Sequence, residues 1–230
     1  MPRSNTKTKR KKRKSPAKSV SGRLSSVLAA LVSFLFITSF SVVFTLCFRP
    51  LYYFDIQYQQ LTFTTGLTEE VIRKNYDVLI DYNLLTKNVD TLQFPNFPMS
   101  EHGRIHFAEV KEIFIAVQIL MIVTALLALI FTIWKFIKRD YRYLKYTSIA
   151  TLVIPMVLGV LAALNWDTFF VTFHHLFFKN NYWLFNPAED PIINILPDAY
   201  FLHCLILILL LMLLGAFFSF LIYRLLTRKR

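Results

Sequence analysis

Residues 173–201 read FHHLFFKNNYWLFNPAEDPIINILPDAYF and lie between two strongly apolar runs. The stretch combines two adjacent histidines with three acidic residues, three prolines and many aromatic side chains. It is too polar to cross a bilayer and too apolar to be a loop surrounded by water. Because ionisable residues at membrane depth are by default candidates for a functional site, we interpret the stretch as part of an active site held at a membrane surface.

Four apolar runs, at about residues 24–48, 113–134, 146–164 and 201–223, are long enough to cross the ~30 Å of hydrocarbon in a bilayer. Each run predicts a helix, because an isolated strand cannot satisfy its backbone in lipid. The first run is longer than the core of a signal peptide and lacks its cleavage site, which indicates an uncleaved helix. The predicted fold class is an all-α membrane protein, with four transmembrane helices and an extracellular cap that contains short interfacial helices.

The charges indicate how these helices are oriented. Of the 26 Lys and Arg residues, 19 lie in residues 1–23, 135–145 and 224–230, whereas 13 of the 14 acidic residues lie in 49–112 and 165–200. The positive-inside rule therefore places both termini in the cytoplasm and both long connections, which form the cap, outside the cell. Residues 1–23 are predicted to be a disordered cytoplasmic tail that contacts membrane lipid and no nucleic acid, and residues 24–230 form the membrane domain.

The connection 49–112 is large enough to fold. Thr68 is suited to cap a helix that begins at Glu69, whose acidic first turn favours the positive end of the helix. One face of that helix carries residues at helical spacing and is predicted to lie on the membrane surface or on the ends of the spans: Ile72, Tyr76, Leu79, Ile80 and Asn83. Ser100 follows the helix-breaking segment 94–99 and is predicted to cap the helix that becomes the second span.

Histidine is the best candidate for chemistry, because its side chain both accepts and donates a proton near neutral pH. All five histidines lie on the predicted outer side: His102, His106, His174, His175 and His203. If residues 100–114 are helical, His102 and His106 lie one turn apart on one face, and Glu109 follows His106 by three residues. Polar residues in such places also commonly do no more than solvate the end of a helix.

Other catalytic patterns do not occur in the sequence. It has no G-x-S-x-G motif and no Walker or dinucleotide glycine pattern. Cys47 and Cys204 have no activating partner nearby in the sequence and are interpreted as free buried thiols, although the sequence leaves open whether they pair.

Two alternatives remain open from the residues alone. The spacing of His102 and His106, with His174 or His175 as a further ligand, is also used for zinc, which would indicate a metal-dependent membrane hydrolase. The other alternative is a non-enzymatic anchor or assembly protein, whose aromatic residues form an interfacial belt at the depth of the lipid headgroups.

Two motif blocks resemble the lipoprotein intramolecular transacylase family of Gram-positive bacteria. The first block is Ser100-Glu101 followed by HFAEVK at 106–111, in which the family more often has Met and Asp at the positions of Phe107 and Glu109. The second is FHHLFF at 173–178, followed by Trp183, Pro187, Asp190, Leu196-Pro197 and Tyr200-Phe201. The resemblance covers nearly the whole chain after residue 23.

This resemblance implies an enzyme that acts on a diacylglyceryl-modified lipoprotein in the cell membrane. It implies transfer of the sn-2 acyl chain to the α-amino group of the N-terminal cysteine, which gives a lyso-form lipoprotein, without a metal or cofactor. The catalytic histidines of the family fall on His106 and His174, although the doubled histidine lets the second position slide to His175.

The remaining candidates are supporting and pocket residues. Those that could assist the two histidines, for example by fixing a tautomer, are His102, Glu101, Glu109, His175 and Asp190. The aromatic residues expected to line the substrate pocket are Phe107, Phe173, Phe177, Phe178 and Trp183. The sequence does not indicate the oligomeric state.

Overall fold

The computed structural model describes residues 16–228, and that part of the chain is helical without strands. The α-helices are α1 (Pro16–Cys47), α2 (Arg49–Tyr58), α3 (Leu61–Thr65), α4 (Glu69–Tyr82), α5 (Glu101–Ile137), α6 (Arg142–Leu164), α7 (Trp166–Phe177) and α8 (Asp198–Arg228). A 3₁₀ helix, Pro191–Ile195, precedes α8. The all-α fold class predicted from the sequence is therefore confirmed.

Four of these helices are long and apolar enough to cross a membrane: residues 22–47 of α1, and α5, α6 and α8. The prediction of four spans is confirmed. At 1.5 Å per residue, the 37 residues of α5 extend about 55 Å, well beyond ~30 Å of hydrocarbon. The excess lies at its N-terminal end, before the apolar run, and this end forms part of the cap.

The first helix begins earlier than the sequence pattern indicates. The structure has helix from Pro16, whereas disorder was predicted up to Arg23; residues 1–15 lie outside the described part of the chain. Proline favours the first position of a helix, where its missing N–H is not needed. A transmembrane helix continues beyond the apolar run as long as no residue breaks its hydrogen bonding.

The cap is built around a cluster of tyrosines between α2, α4 and the 3₁₀ helix. Tyr52 stacks on Tyr76 with ring centres 3.7 Å apart, and its hydroxyl donates to the backbone oxygen of Ile195 at 2.7 Å. The hydroxyls of Tyr76 and Tyr200 lie 2.8 Å apart. This buried cluster packs the cap onto the start of α8, and burial raises the pKa of Tyr52 and of Tyr76.

The two helix starts predicted within the cap are confirmed. Thr68 caps α4 through the backbone N–H of Val71 at 3.4 Å, and Ser100 caps α5 through the N–H of Gly103 at 2.9 Å. The predicted apolar face of α4 is buried in the cap core rather than laid on the membrane: Ile72, Tyr76, Leu79, Ile80 and Asn83.

The opposite end of the bundle is joined by a buried lysine. The ammonium of Lys135, near the end of α5, donates to Ser25 and Ser26 of α1, each at 2.9 Å, and to Asp140 at 3.0 Å. Hydrogen bonds from Arg142, and then from Lys135, hold the pKa of Asp140 well below its usual value. A buried charge is tolerated only when it is paired in this way, so α1 and α5 are fixed side by side at this end.

Asp190 fastens the segment 178–197 to the start of α5. This carboxylate is only 2% exposed, and it accepts from the backbone N–H of Ser100 at 2.7 Å and from the Ser100 hydroxyl at 2.6 Å. The carboxylate reaches α5 because residue 103 has no side chain. A Cβ atom on Gly103 would lie 2.4 Å from Asp190 Oδ1, which is closer than atoms can approach.

We expect Gly103→Ala to destabilise the protein. The added methyl group would be forced against the Asp190 carboxylate, which two hydrogen bonds hold in place. This cost is larger than the gain from the better helix propensity of alanine, so the free energy of unfolding should fall by about 1–2 kcal/mol. Gly159→Ala in α6 is the matched control, because its Cβ would meet only the flexible end of Leu209 at 3.3 Å. Thermal unfolding in detergent measures both; equal midpoints for the two variants would contradict the prediction.

Candidate active site

Two histidines from different helices meet beneath the cap. His106 lies in the second turn of α5 and is 5% exposed, and His174 lies in the last turn of α7 and is half-buried. Their ring centres are 6.3 Å apart. The structure therefore brings together the two histidines, 68 positions apart in the chain, that the motif blocks single out.

The helix that carries His174 was not predicted from the sequence. Asn165 caps α7 by accepting from the backbone N–H of Thr168 at 2.8 Å. Its aromatic residues recur at helical spacing on one face (Trp166, Phe169, Phe170, Phe173 and Phe177), and none of its twelve residues is buried. This spacing and the cap residue Asn165 are the sequence signals by which the helix could have been found.

Aromatic rings enclose the histidine pair. His106 lies 4.7 Å from Phe178 and 5.4 Å from Phe185, measured between ring centres. His174 stacks on Trp183 at 4.5 Å and lies 4.2 Å from Phe170. An apolar surrounding of this kind lowers the local dielectric constant and strengthens each polar interaction inside it.

The predicted pocket residues divide into two groups. Phe107, Phe178 and Trp183 are buried next to the histidines, whereas Phe173 and Phe177 are about half exposed. Phe173 still meets the ring of His174 edge to face at 5.6 Å. Phe170 and Phe185 also line the enclosure. Phe170 precedes His174 by one helical turn, a relation visible only once α7 is known to be a helix.

The hydrogen bonding of His174 fixes its tautomer. Its Nδ1 lies 2.8 Å from the backbone oxygen of Phe170, which can only accept, so Nδ1 carries the proton and the neutral ring has its lone pair on Nε2. Burial lowers the pKa of His174 below 6.5; the hydrogen bond to Phe170 opposes this effect and the charge of His175 adds to it. His174 is thus held as a neutral imidazole with a basic nitrogen.

His106 has a different environment. Its Nδ1 is buried, and no partner for it lies among the described residues. A buried polar atom without a partner costs free energy and is commonly explained by a functional role. Its position in the aromatic enclosure leaves that hydrogen-bonding capacity available to a bound molecule.

The other two candidate histidines lie at the rim. His102 is exposed and stacks on Tyr182, with ring centres 4.2 Å apart. His175 is exposed and meets Trp183 edge to face at 5.6 Å. Across the described residues, no three His, Cys, Asp or Glu side chains come close enough to hold a metal ion together.

The candidate carboxylates have partners other than histidine within residues 16–228. Glu101 pairs with Arg104, and Asp190 binds Ser100. Glu109 accepts from Asn180 at 2.8 Å through one oxygen, while its second oxygen is buried without a partner. Asn180 lies in the loop after α7, so this bond ties the loop to α5 one turn after His106.

Two further features were not identified from the sequence. Asp55 of α2, fully buried, accepts from Nδ1 of His203 of α8 at 2.7 Å and so links the cap to the bundle. A cavity of about 580 Å³ lies between α6, α7 and α8 and is lined by neither His106 nor His174.

Cys47 and Cys204 are both free thiols. The prediction that both are buried is wrong for Cys47, which is exposed at the end of α1.

Similarity to known proteins agrees with this architecture. The family model of the lipoprotein intramolecular transacylase Lit matches residues 27–201. The in meso structure of the Bacillus cereus transacylase is 34% identical in sequence, covers 92% of this chain and 98% of its own, and superposes with a TM-score of 0.89.

Two variant structures of that Bacillus cereus protein also match. In one a histidine is replaced by arginine, and in the other a histidine is replaced by alanine. Each is 33% identical to this chain, covers 93% of it and has a TM-score of 0.83. The match covers 95% of the arginine variant and 96% of the alanine variant. The comparison with curated proteins gives no match. The match over most of the sequence and nearly all of the structure shows that this chain belongs to the lipoprotein intramolecular transacylase family.

Proposed function

We propose that the protein transfers the sn-2 acyl chain of a diacylglyceryl-modified lipoprotein to the α-amino group of the same lipoprotein's N-terminal cysteine. The observation that carries the proposal is the pair of His106 and His174, with ring centres 6.3 Å apart inside an aromatic enclosure. Aminolysis of an ester needs a base for the attacking amine and an acid for the departing oxygen, and two imidazoles supply both.

His174 acts as the general base in this proposal. Its Nδ1 proton is committed to the Phe170 carbonyl, so Nε2 is the nitrogen that accepts a proton from the amine. His106 then protonates the leaving oxygen as a neutral imidazole, because burial, and then the charge of His174, lower its pKa to about 4. The two roles call on no metal or cofactor.

The bonds and protons balance without any other reactant. The amine nitrogen attacks the ester carbonyl carbon, and His174 takes one of its protons. When the tetrahedral intermediate collapses, the bond between carbon and the glycerol oxygen breaks and His106 gives that oxygen a proton. The products are an N-acyl cysteine and a free sn-2 hydroxyl, and the proton taken up by His174 returns to His106 through solvent.

Orientation supplies much of the rate in an intramolecular transfer. Because amine and ester belong to one molecule, the enzyme has to fold the substrate so that these groups meet, which can contribute several kcal/mol. The aromatic rings around His106 and His174 offer a surface for the lipid part of the substrate. Glu109 has one buried oxygen without a partner among the described residues, and we assign it the binding of the amine.

We place both termini in the cytoplasm and the site at the outer leaflet. The charge distribution along the chain supports this orientation through the positive-inside rule. The cap and the histidine pair lie at the end of the bundle that carries the acidic residues, where a lipoprotein anchored in the outer leaflet presents its modified cysteine.

Replacing either histidine tests the proposal. We expect His106→Asn and His174→Asn each to reduce N-acylation by about 100-fold or more, since each removes one acid–base group. Mass spectrometry of a lipoprotein's N-terminal peptide, from cells carrying each variant, measures the effect. Membrane levels and thermal unfolding of the purified variants serve as controls, and retained N-acylation in both folded variants would refute the proposal.

The pH dependence tests the role of His174 as base. A base must be neutral to act, so kcat falls as the pH drops through the pKa of His174. Since burial lowers that pKa, the acid limb of the profile is expected below pH 6.5, with activity maintained at pH 7. Initial rates in detergent micelles between pH 4.5 and 8 measure this, and a profile that falls with rising pH over the range would assign His174 as the acid instead.

The amine-binding role of Glu109 predicts a change in KM. Glu109→Gln keeps an oxygen for Asn180 but removes the negative charge, so KM should rise about tenfold with a smaller change in kcat, as for the loss of one charged hydrogen bond. Glu112→Gln, at an exposed position of the same helix, is the matched control. A fall in kcat at constant KM would contradict amine binding and indicate a role in the chemical step.

A further inference from the structure

Trp183 has a buried hydrogen-bond donor that nothing in the described part of the chain satisfies. The residue is 8% exposed, and its indole N–H has no acceptor there. The loop that holds it is fixed by the bond between Asn180 and Glu109. Tryptophan and tyrosine usually find a partner when they are buried, so this donor needs an explanation.

The donor lies beside the proposed base. The indole stacks on the ring of His174 with centres 4.5 Å apart and planes at 28°. Every atom of an indole lies within a few Å of its ring centre, so the N–H is within reach of a group that contacts His174. The aromatic rings of Phe170 and Phe178 also lie next to His174, with ring centres at 4.2 and 5.8 Å.

Ester aminolysis creates a need for such a donor. When the amine attacks, the carbonyl π electrons move onto the carbonyl oxygen, which becomes an oxyanion until the carbon–oxygen bond to glycerol breaks. His106 and His174 are occupied with protons on the nucleophile and the leaving group. A fixed donor aimed at the developing charge commonly contributes as much as any other single group.

We infer that the indole N–H of Trp183 donates a hydrogen bond to the oxyanion of the acyl-transfer intermediate, an inference that rests on the function proposed above. Trp183 is then a catalytic residue rather than only a wall of the pocket. On this inference the buried indole N–H has no partner among the described residues because its partner is the substrate. Its hydrogen bond to the substrate oxygen becomes strong only when that oxygen gains negative charge during the reaction.

The competing role for Trp183 is mechanical. An indole stacked on His174 would orient the imidazole whether or not its N–H is used. The two roles separate when the N–H is removed and the ring is kept. They also differ in kinetics, since an oxyanion donor affects kcat at unchanged KM and leaves the pKa of the base in place.

Trp166 offers a matched control. Its indole N–H is also buried without a partner among the described residues, and it also lies in an aromatic group, with Phe169 at 5.9 Å and Phe170 at 5.7 Å. It begins α7 two turns before His174 and makes no ring contact with either histidine of the pair. Loss of its N–H should leave the reaction unchanged.

The experiment compares three full-length variants in detergent micelles with a diacylglyceryl lipopeptide as substrate. They are Trp183→Phe, Trp166→Phe, and a protein in which Trp183 is replaced by benzothienylalanine, which keeps the bicyclic ring but has sulfur in place of N–H. We expect both changes at Trp183 to lower kcat by about 100-fold at unchanged KM and with the same acid limb of the pH profile. Trp166→Phe should match the parent.

Each other outcome has a defined meaning. Full activity of the benzothienylalanine protein would overturn the inference and assign Trp183 the mechanical role. Equal losses at Trp166 and Trp183 would also overturn it, because the effect would then follow from any buried indole. Absence of acyl transfer by the parent protein would instead refute the proposed function, so the two failures are distinguishable.

Discussion

The arrangement of the site depends on one carboxylate that accepts two hydrogen bonds. Asp190 binds the backbone N–H and the hydroxyl of Ser100, and the absence of a side chain at Gly103 gives it room. This contact fixes the segment after α7 against the start of α5, with His106 one turn and a half beyond Ser100. Helices are stiff over a few turns. The position of Asp190 therefore restricts the distance between His106 and the aromatic residues of the segment after α7, Phe178, Trp183 and Phe185.

Burial then gives the histidines their chemical character. Water would favour the charged imidazolium and would weaken each contact between side chains and substrate. The phenylalanine and tryptophan rings bury His106 and half-bury His174, which limits their contact with water, while the carbonyl of Phe170 keeps His174 in one tautomer. Three buried polar atoms without partners in the described residues lie in this region, on His106, Glu109 and Trp183. Proteins retain such costly features at sites where a ligand completes the hydrogen bonding.

The membrane constrains the rest of the molecule in a different way. Lipid is as apolar as the helix surfaces, so association of the spans relies on close packing and polar contacts. The Lys135–Asp140–Ser26 network joins the bundle at one end, and the tyrosine cluster with the Asp55–His203 pair joins it to the cap at the other. Many large apolar side chains between these ends remain exposed in the protein and are suited to contact with lipid.

The sequence by itself determined the number of spans, the caps at Thr68 and Ser100, and the buried face of α4, because each depends on neighbouring residues and on the apolar length needed to cross a bilayer. It also supplied His106 and His174 through motifs. The helix α7 was also marked in the sequence, by its aromatic spacing and by Asn165. Only the tertiary structure decided that Asp190 binds Ser100, that Phe185 lies against His106, and that Glu109 binds Asn180. These relations join residues far apart in the chain, and no local pattern encodes such distances.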